Sequence, residues 1–164
     1  MKYSIIGAGI GGLTTALAFE KKGIAYELYE RAPQLNEVGA GIWLAPNALQ
    51  VLESLQVLDS VFEQGNSIKR ITIGNKDLSP ISDSIQDFIE KEYGYTTVAI
   101  HRAKLQQLLF DKLPKEKIHL GKSFDSYTQL DSGKLQVYFS DRSTVETDFL
   151  ICLLYTSDAA DDGV

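Results

Sequence analysis

In the first thirty positions, two segments of strand length flank a segment whose apolar residues recur at helical spacing. Residues 2–6 predict a short buried strand, and residues 25–30 predict a second strand. Between these two runs, apolar residues recur at the spacing of one helix face: Ile10, Leu13, Ala16 and Leu17. Gly23 is placed to end that helix. The pattern predicts a strand–helix–strand unit of about 30 residues, the size of a right-handed parallel crossover.

The middle of the chain opens with a predicted loop through Pro33, Gly39 and Gly41. Pro46 then begins a second predicted helix, because proline is tolerated in a first turn whose N–H groups have no intrahelical partner. The apolar face of this helix consists of five residues: Leu49, Leu52, Leu55, Leu58 and Phe62. Residues 69–73 follow as a strand.

Residues 77–96 are mostly polar. Four apolar positions among them predict one short amphipathic helix: Ile81, Ile85, Phe88 and Ile89. A strand at 97–100 and a helix at 102–113 come next, and the remainder is predicted as strands at 118–124, 127–130, 135–139 and 149–151. We therefore predict an α/β fold in which an antiparallel meander is inserted into a parallel three-layer sheet of residues 2–6, 25–30, 118–124 and 149–151.

Composition narrows the class of protein. The 164 residues match about one domain. A formal net charge of −6 argues against non-specific binding of nucleic acid, which needs a basic face. We find no secretory signal and no run near the roughly 20 apolar residues of a membrane span, so a cytoplasmic protein is expected. The single cysteine, Cys152, excludes a disulfide framework and a cysteine metal cluster, and no metal site is predicted.

The strongest local motif is Gly7-Ala8-Gly9-Ile10-Gly11-Gly12, which satisfies G-x-G-x-x-G between a predicted strand and a predicted helix. Gly7 permits the tight turn, Gly9 lets a pyrophosphate approach the backbone, and Gly12 lets the helix pack close to the sheet. The helix then points its free N–H groups at the phosphates. This context predicts a dinucleotide-binding site.

Glu30 ends the second predicted strand, 18 positions after Gly12. An acid near this spacing accepts hydrogen bonds from the ribose hydroxyls. Its carboxylate would repel a ribose 2′-phosphate, so NADP is disfavoured in this site. NAD and FAD both remain possible on the motif alone.

Further motifs extend the pattern in a fixed order: Glu30-Arg31, Gly39-Ala40-Gly41-Ile42, Pro46-Asn47-Ala48, and His101-Arg102 with Leu105. Together with the glycine motif they resemble the FAD-dependent monooxygenases of the para-hydroxybenzoate and salicylate hydroxylase type, over roughly residues 1–151. The resemblance implies a Rossmann-like FAD-binding domain. It also implies cofactor contacts at ten residues: Gly7, Gly9, Gly11, Gly12, Glu30, Arg31, Gly41, Ile42, Trp43 and Arg102.

The resemblance also implies a role for each group of residues. Glu30 holds the adenosine ribose, and Arg31 lies beside the adenine end. The segment from Gly39 to Trp43 runs past the flavin ring, with core packing as the alternative for Trp43. Arg102 reaches the ribityl or pyrophosphate region, the alternative being a surface arginine at a helix start. No residue is assigned as a catalytic acid or base.

Residues 152–164 depart from the family pattern. Family members carry a Gly-Ala-Asp-Gly type turn after the strand at 149–151, and this chain instead continues from Cys152 to Asp161 with a string that resembles one translated frame of a sequencing-library adapter. We expect residues 1–151 to be an incomplete FAD-binding domain and 152–164 to be non-native. The alternative is a natural polar tail.

The expected function is that of the FAD-binding portion of a monooxygenase, which uses NAD(P)H and O2 to hydroxylate a small aromatic molecule and is inactive in this truncated form. Two other readings stay open. One is a different FAD-dependent oxidoreductase with the same nucleotide-binding half, and the other is a non-enzymatic dinucleotide-binding module. The expected partner is a small-molecule substrate, with neither nucleic acid nor membrane.

Overall fold

The computed structural model describes residues 1–35 and 40–154. The elements in chain order are β1 (Lys2–Ile6), α1 (Ile10–Lys22), β2 (Ala25–Glu30), β3 (Gly41–Leu44), α2 (Pro46–Ser54), α3 (Leu58–Gln64), β4 (Asn66–Ser67), β5 (Arg70–Gly74), β6 (Pro80–Ile85), α4 (Asp87–Tyr93), β7 (Val98–His101), α5 (Arg102–Asp111), a 3-10 turn (Lys115–Lys117), β8 (Ile118–Leu120), β9 (Phe124–Gln129), β10 (Leu135–Phe139), β11 (Thr144–Thr147) and β12 (Phe149–Cys152). They form two compact units, one of Met1–Asn36 with Leu109–Val164 and one of Glu37–Leu108.

The first unit is built on a parallel sheet in the order β12-β1-β2-β8. The predicted α/β architecture and its four parallel strands are confirmed. The strand predicted at 118–124 is shorter than expected, because Gly121 adopts a left-handed φ of 73° that ends β8 and lets β9 begin at Phe124. Strand β11 was not predicted, and it completes an antiparallel meander in the order β11-β10-β9.

Both faces of the parallel sheet are covered within this unit. Helix α1 turns Leu13, Ala16 and Leu17 inward, and its Phe19 ring contacts the Tyr26 ring of β2 at 6.2 Å between centroids. On the other face, β1 and β2 meet the meander in one apolar cluster: Ile6, Tyr29, Val137 and Phe139, with Phe124, Val145 and Leu150 packed against it. Helix, sheet and meander are the three layers that hold β1 in position.

The second unit contains a small antiparallel sheet in the order β3-β7-β4 and a two-stranded hairpin of β5 and β6. Residues 41–44 were predicted as loop, but they form β3, because the backbone of β7 pairs with them. The short helix predicted across 81–89 is only partly right. Residues up to Ile85 form β6 and pair with β5, and the helix α4 starts at Asp87.

The long helix predicted from Pro46 is two helices. Gln56 has a left-handed φ of 59°, and the Val57 N–H donates to the Leu52 carbonyl at 2.9 Å. This hydrogen bond, from a residue to the carbonyl five positions earlier, is that of a Schellman motif, which commonly ends a helix at a left-handed residue. The apolar spacing continues across the break, since Leu49, Leu52 and Leu58 are all buried. Periodicity alone therefore could not reveal the break.

The pH dependence of stability above pH 9 tests the packing of Tyr29 of β2 against the meander. Burial, reinforced by the charge of Glu27, raises the pKa of Tyr29 to about 12. The native state therefore keeps its proton between pH 10 and 12, while the unfolded state releases it. Over this window we expect the free energy of unfolding to fall by about 1.4 kcal/mol per pH unit from this residue.

Urea unfolding between pH 9 and 12 measures this dependence, with Tyr29→Phe as the control. The variant lacks the titrating hydroxyl, so its slope should be shallower by the Tyr29 contribution. Equal slopes for the two proteins would show that Tyr29 ionises alike in the folded and unfolded states. Tyr26, whose pKa burial also raises, contributes to both slopes equally.

Candidate dinucleotide-binding site

The carboxyl ends of β1, β2 and β12 lie along one edge of the parallel sheet. After β1 the chain adds β2 and β8 on one side, and β12 later pairs with the other side of β1. The strand order thus reverses beside β1, and ligands of open α/β sheets bind in the crevice outside the strand ends at such a point. The glycine motif begins directly at this position.

The turn after β1 needs glycine at two positions, at Gly7 because of its backbone conformation and at Gly12 because of close packing. Gly7 has φ 102°, in the left-handed range, and its N–H donates to the Tyr29 carbonyl at 2.8 Å. A Cβ built on Gly12 would lie 1.8 Å from the Gly7 carbonyl oxygen. The first turn of α1 therefore passes against the strand end so closely that no side chain fits between them.

Gly9 and Gly11 differ from these two. Gly9, the N-terminal cap of α1, has φ −70° and ψ −179°, an extended conformation open to any residue. A Cβ on Gly11 would meet nothing closer than 3.9 Å. The backbone conformation therefore does not require glycine at position 9, and packing of the described residues does not require it at position 11.

At the start of α1, three backbone N–H donors have no acceptor among the described residues. The first intrahelical bond is donated by the Leu13 N–H to the Gly9 carbonyl at 3.0 Å. The amides of Ile10, Gly11 and Gly12 precede it, and the helix has no side-chain cap and no acidic residue in its first turn. Free amides and an uncompensated positive dipole end form a suitable environment for an anion.

Glu30 joins the glycine turn to the end of β2. One carboxylate oxygen accepts the Ala8 N–H at 2.7 Å, and the other accepts the Ala32 N–H at 2.9 Å. The side chain is thereby held at the carboxyl edge of the sheet, and each oxygen keeps a lone pair for a further donor. Neither amide contact was predicted, because spacing along the sequence does not show which backbone N–H groups fold back on the acid.

Arg31 follows immediately and is exposed. Within the described part of the chain, no hydrogen bond or ion pair holds its guanidinium. Its position directly after β2 agrees with the sequence, and the described residues give its side chain no partner that would define a role.

The remaining predicted residues belong to the second unit. Gly41, Ile42 and Trp43 lie on β3, where Gly41 pairs with His101 and Trp43 with Ala99 of β7. Gly39 lies outside the described residues. The side chain of Trp43 is 64% exposed, so the alternative of a core tryptophan is wrong. No atom lies within 4 Å of a Cβ built on Gly41, so packing does not require glycine there.

Arg102 is the first residue of α5, and its side chain is half-buried. Its backbone N–H donates to the Ala40 carbonyl at 3.1 Å, which ties the start of the helix to the residue before β3. The guanidinium has no hydrogen bond or ion pair to any described residue. A cation at a helix N-terminus is electrostatically unfavourable, so this position has no structural explanation in the second unit.

The described residues contain neither a metal-ligand cluster nor a membrane-spanning helix. Across 1–35 and 40–154, no group of three His, Cys, Asp or Glu side chains is arranged to hold a metal ion. In the same residues, no helix has the length and hydropathy needed to cross a bilayer.

The fold and the glycine turn define the class of protein as a dinucleotide-binding α/β domain. No protein-family model matches the chain. The chain is, however, 33% identical over 153 residues to the 3-amino-4-hydroxybenzoate 2-monooxygenase of Streptomyces cremeus, covering 92% of this chain and 39% of that protein. It is 29% identical over 153 residues to the 6-hydroxynicotinate 3-monooxygenase of Pseudomonas fluorescens, with the same coverage of both chains.

Solved structures give the same result. The crystal structure of Klebsiella pneumoniae R204Q HpxO complexed with FAD matches with a TM-score of 0.81 and 26% identity, covering 92% of this chain and 38% of that one. HpxO complexed with FAD and uric acid matches with a TM-score of 0.80 and 25% identity over the same shares. The resemblance is confirmed: the homologues of this chain are FAD-dependent monooxygenases, and the chain spans about two fifths of their length.

Proposed function

We propose that this chain is the FAD-binding portion of a flavin-dependent monooxygenase that uses NAD(P)H and O2 to hydroxylate a small aromatic molecule, and that the chain alone does not turn over. The observation that carries the proposal is the set of backbone N–H donors at the start of α1, which no described residue accepts from, together with the fixed carboxylate of Glu30. The relatives support FAD over NAD as the dinucleotide, since two matching structures are complexes with FAD.

The residues of the first unit fit the adenosine diphosphate part of FAD. The amides of Ile10, Gly11 and Gly12 supply N–H donors for a pyrophosphate, and Glu30 supplies acceptors for the ribose hydroxyls. Gly9, for which the backbone has no structural need, leaves room for the phosphates to approach. We assign Arg31 to the adenine end.

In the second unit, we assign Gly41, Ile42 and Trp43 to the flavin ring and Arg102 to the ribityl or pyrophosphate part. Support comes from the features that the described residues of the unit do not explain: an exposed tryptophan, a glycine with open space around it, and an arginine to which no described acidic residue is paired. FAD supplies the oxidation–reduction chemistry, and the protein binds and orients it. NAD(P)H as reductant, the small-molecule substrate and a cytoplasmic location complete the proposal.

The domain assignment is part of the same proposal. Residues 1–151 belong to the FAD-binding domain and 152–164 are non-native, although β12 includes Cys152, because its backbone pairs with Ile6 whatever its side chain. Sequencing the parent gene past the Ile151 codon tests this. A Gly-Ala-Asp-Gly type turn in place of Cys152 onward would support the assignment, and a genomic codon run for the present residues would overturn it.

Titration of the purified chain with FAD and with NAD tests the cofactor. We expect saturable quenching of flavin fluorescence, tighter binding of FAD than of NAD, and competition by ADP.

Gly9→Ala should weaken FAD binding about tenfold or more, because its methyl group occupies the space of the phosphates. Its free energy of unfolding in urea should stay within about 0.5 kcal/mol of wild type, since φ −70° suits alanine. Preference for NAD, or equal FAD affinity in Gly9→Ala, would contradict the proposal.

A further inference from the structure

The small antiparallel sheet of the second unit has one packed face and one exposed face. Val98 and Ile100 of β7 are buried, and Ala99 between them points to the opposite side, because side chains alternate along a strand. The strand register places five residues together on this second face: Gly41, Trp43, Asn66, Ala99 and His101. This face lies opposite the packed one, so a ligand can reach it within the second unit.

A surface cavity of about 320 Å³ opens on the exposed face, a volume at the lower end of the range for small-molecule sites. Two small residues of the sheet, Gly41 and Ala99, contribute to its lining. No atom lies within 4 Å of a Cβ built on Gly41, so this part of the cavity is open. Four residues with hydrogen-bonding side chains complete the polar part of the lining: Gln64, Asn66, His101 and Lys104.

The charges around the cavity favour an anion. Its lining includes a lysine and a histidine and no acidic residue. Lys104 lies in the first turn of α5, where the helix dipole disfavours a cation, and that turn contains no acidic residue. Across the described parts of the chain, no hydrogen bond or ion pair engages the Lys104 ammonium or the side chains of the other three polar lining residues. An anionic group in the cavity would give these donors an acceptor and would compensate the cation at the helix start.

We infer that this cavity is a binding site for a small organic anion, whose carboxylate or phosphate group contacts Lys104 and His101 and whose apolar body rests on Gly41 and Ala99. The inference goes beyond the proposed function, because it concerns a second ligand. Gly41 is also assigned to the flavin ring above, but none of the other lining residues has a role in the proposed cofactor site. Binding of the anion and binding of FAD can therefore be tested separately.

The test is titration of the purified chain with cyclohexanecarboxylate and cyclohexyl phosphate, two anions that share one ring. Cyclohexanecarboxamide is the neutral counterpart of the first. Trp43 is the only tryptophan of the chain and shares the sheet face of the cavity, so its fluorescence reports occupancy. We expect saturable binding of at least one anion with a Kd of about 1 mM, and binding of the amide at least tenfold weaker. Binding of the carboxylate alone or of the phosphate alone identifies which anionic group the site selects.

A matched pair of lysine variants locates the anion. Lys104→Gln removes the charge and should weaken binding about fivefold or more, because a charge-assisted hydrogen bond is lost. Lys76→Gln makes the same change of charge in the turn between β5 and β6, outside the cavity, and should leave the affinity within about twofold of wild type.

A third variant, Ala99→Leu, tests the cavity itself, since the larger side chain occupies the space of the ligand body. It should abolish binding while circular dichroism shows the wild-type fold. If this variant does not fold, the pair of lysine variants still decides the question.

Three results would overturn the inference: no saturable binding of either anion up to about 20 mM, equal affinities for the carboxylate and its amide, or equal losses in the two lysine variants. The FAD affinity of the same preparations keeps the two proposals apart. Lys104→Gln should bind FAD as tightly as wild type, because Lys104 has no role in the proposed cofactor site. Anion binding without FAD binding would contradict the proposed function and leave this inference standing, and the reverse result would do the opposite.

Discussion

Gly12→Ala is expected to destabilise the first unit by at least about 3 kcal/mol, and to abolish FAD binding in the fraction that folds. The added methyl group would lie 1.8 Å from the Gly7 carbonyl oxygen. This neighbour is backbone rather than the end of a flexible side chain, and Gly7 is itself held by its hydrogen bond to Tyr29. The helix must therefore move away from the strand end, which displaces the amides that face the phosphates.

The matched control is Gly11→Ala, one position earlier in the same helical turn. Its methyl group meets only a leucine side-chain carbon at 3.9 Å, an ordinary contact, and alanine is favoured over glycine in a helix by up to about 1 kcal/mol. We expect its urea midpoint to equal or exceed that of wild type. Similar losses for both substitutions would show that the close approach of Gly12 to Gly7 does not limit stability.

Glu30→Ala is expected to lower the free energy of unfolding by about 2–3 kcal/mol and to weaken FAD binding at least tenfold. The change removes the acceptors for the Ala8 and Ala32 N–H groups, so the glycine turn keeps only the Gly7–Tyr29 backbone hydrogen bond as its tie to the end of β2. It also removes the acceptors proposed for the ribose. Urea unfolding and FAD titration of the same preparation separate the two effects.

Glu30→Gln sharpens the test, because it keeps nearly the same shape and one of the two acceptor oxygens but loses the charge. Either the Ala8 or the Ala32 N–H then loses its acceptor, so the stability of this variant is measured alongside its binding. Wild type should bind ADP-ribose in preference to its 2′-phosphorylated form. In the glutamine variant this preference should fall by about tenfold or more, since the repulsion between two close negative charges is gone. An unchanged preference would place the ribose away from Glu30, even if FAD binding itself is retained.

The spacing of apolar residues and glycines along the chain was sufficient to predict those elements whose structure depends only on their own residues. The strand of residues 25–30, the helix end at Gly23 and the glycine turn were all predicted, since apolar spacing and glycine conformation act over a few residues. The two helices after Pro46 were predicted as one, because both bury leucines on the same spacing and only the backbone of Gln56 separates them.

Errors occurred where pairing with a distant segment decides the structure. Residues 41–44 and 80–85 are strands because β7 and β5, respectively, offer backbone partners to them. Neither segment has the alternation of a half-buried strand, and β6 remains mostly exposed. Strand formation in such segments comes from the hydrogen-bonded neighbour rather than from local propensity.

The sequence by itself determined the class of site: a strand, a glycine turn, a helix and an acid at the end of the next strand, in a spacing that a dinucleotide requires. The tertiary structure alone decided which residues surround the turn. Gly12 touches the Gly7 carbonyl, Glu30 holds the Ala8 amide, and Leu153 reaches the turn from the far end of the chain. The reason is physical: spacing along a chain specifies periodicity within an element, whereas contacts between β1, β2 and β12 exist only once the sheet has ordered them side by side.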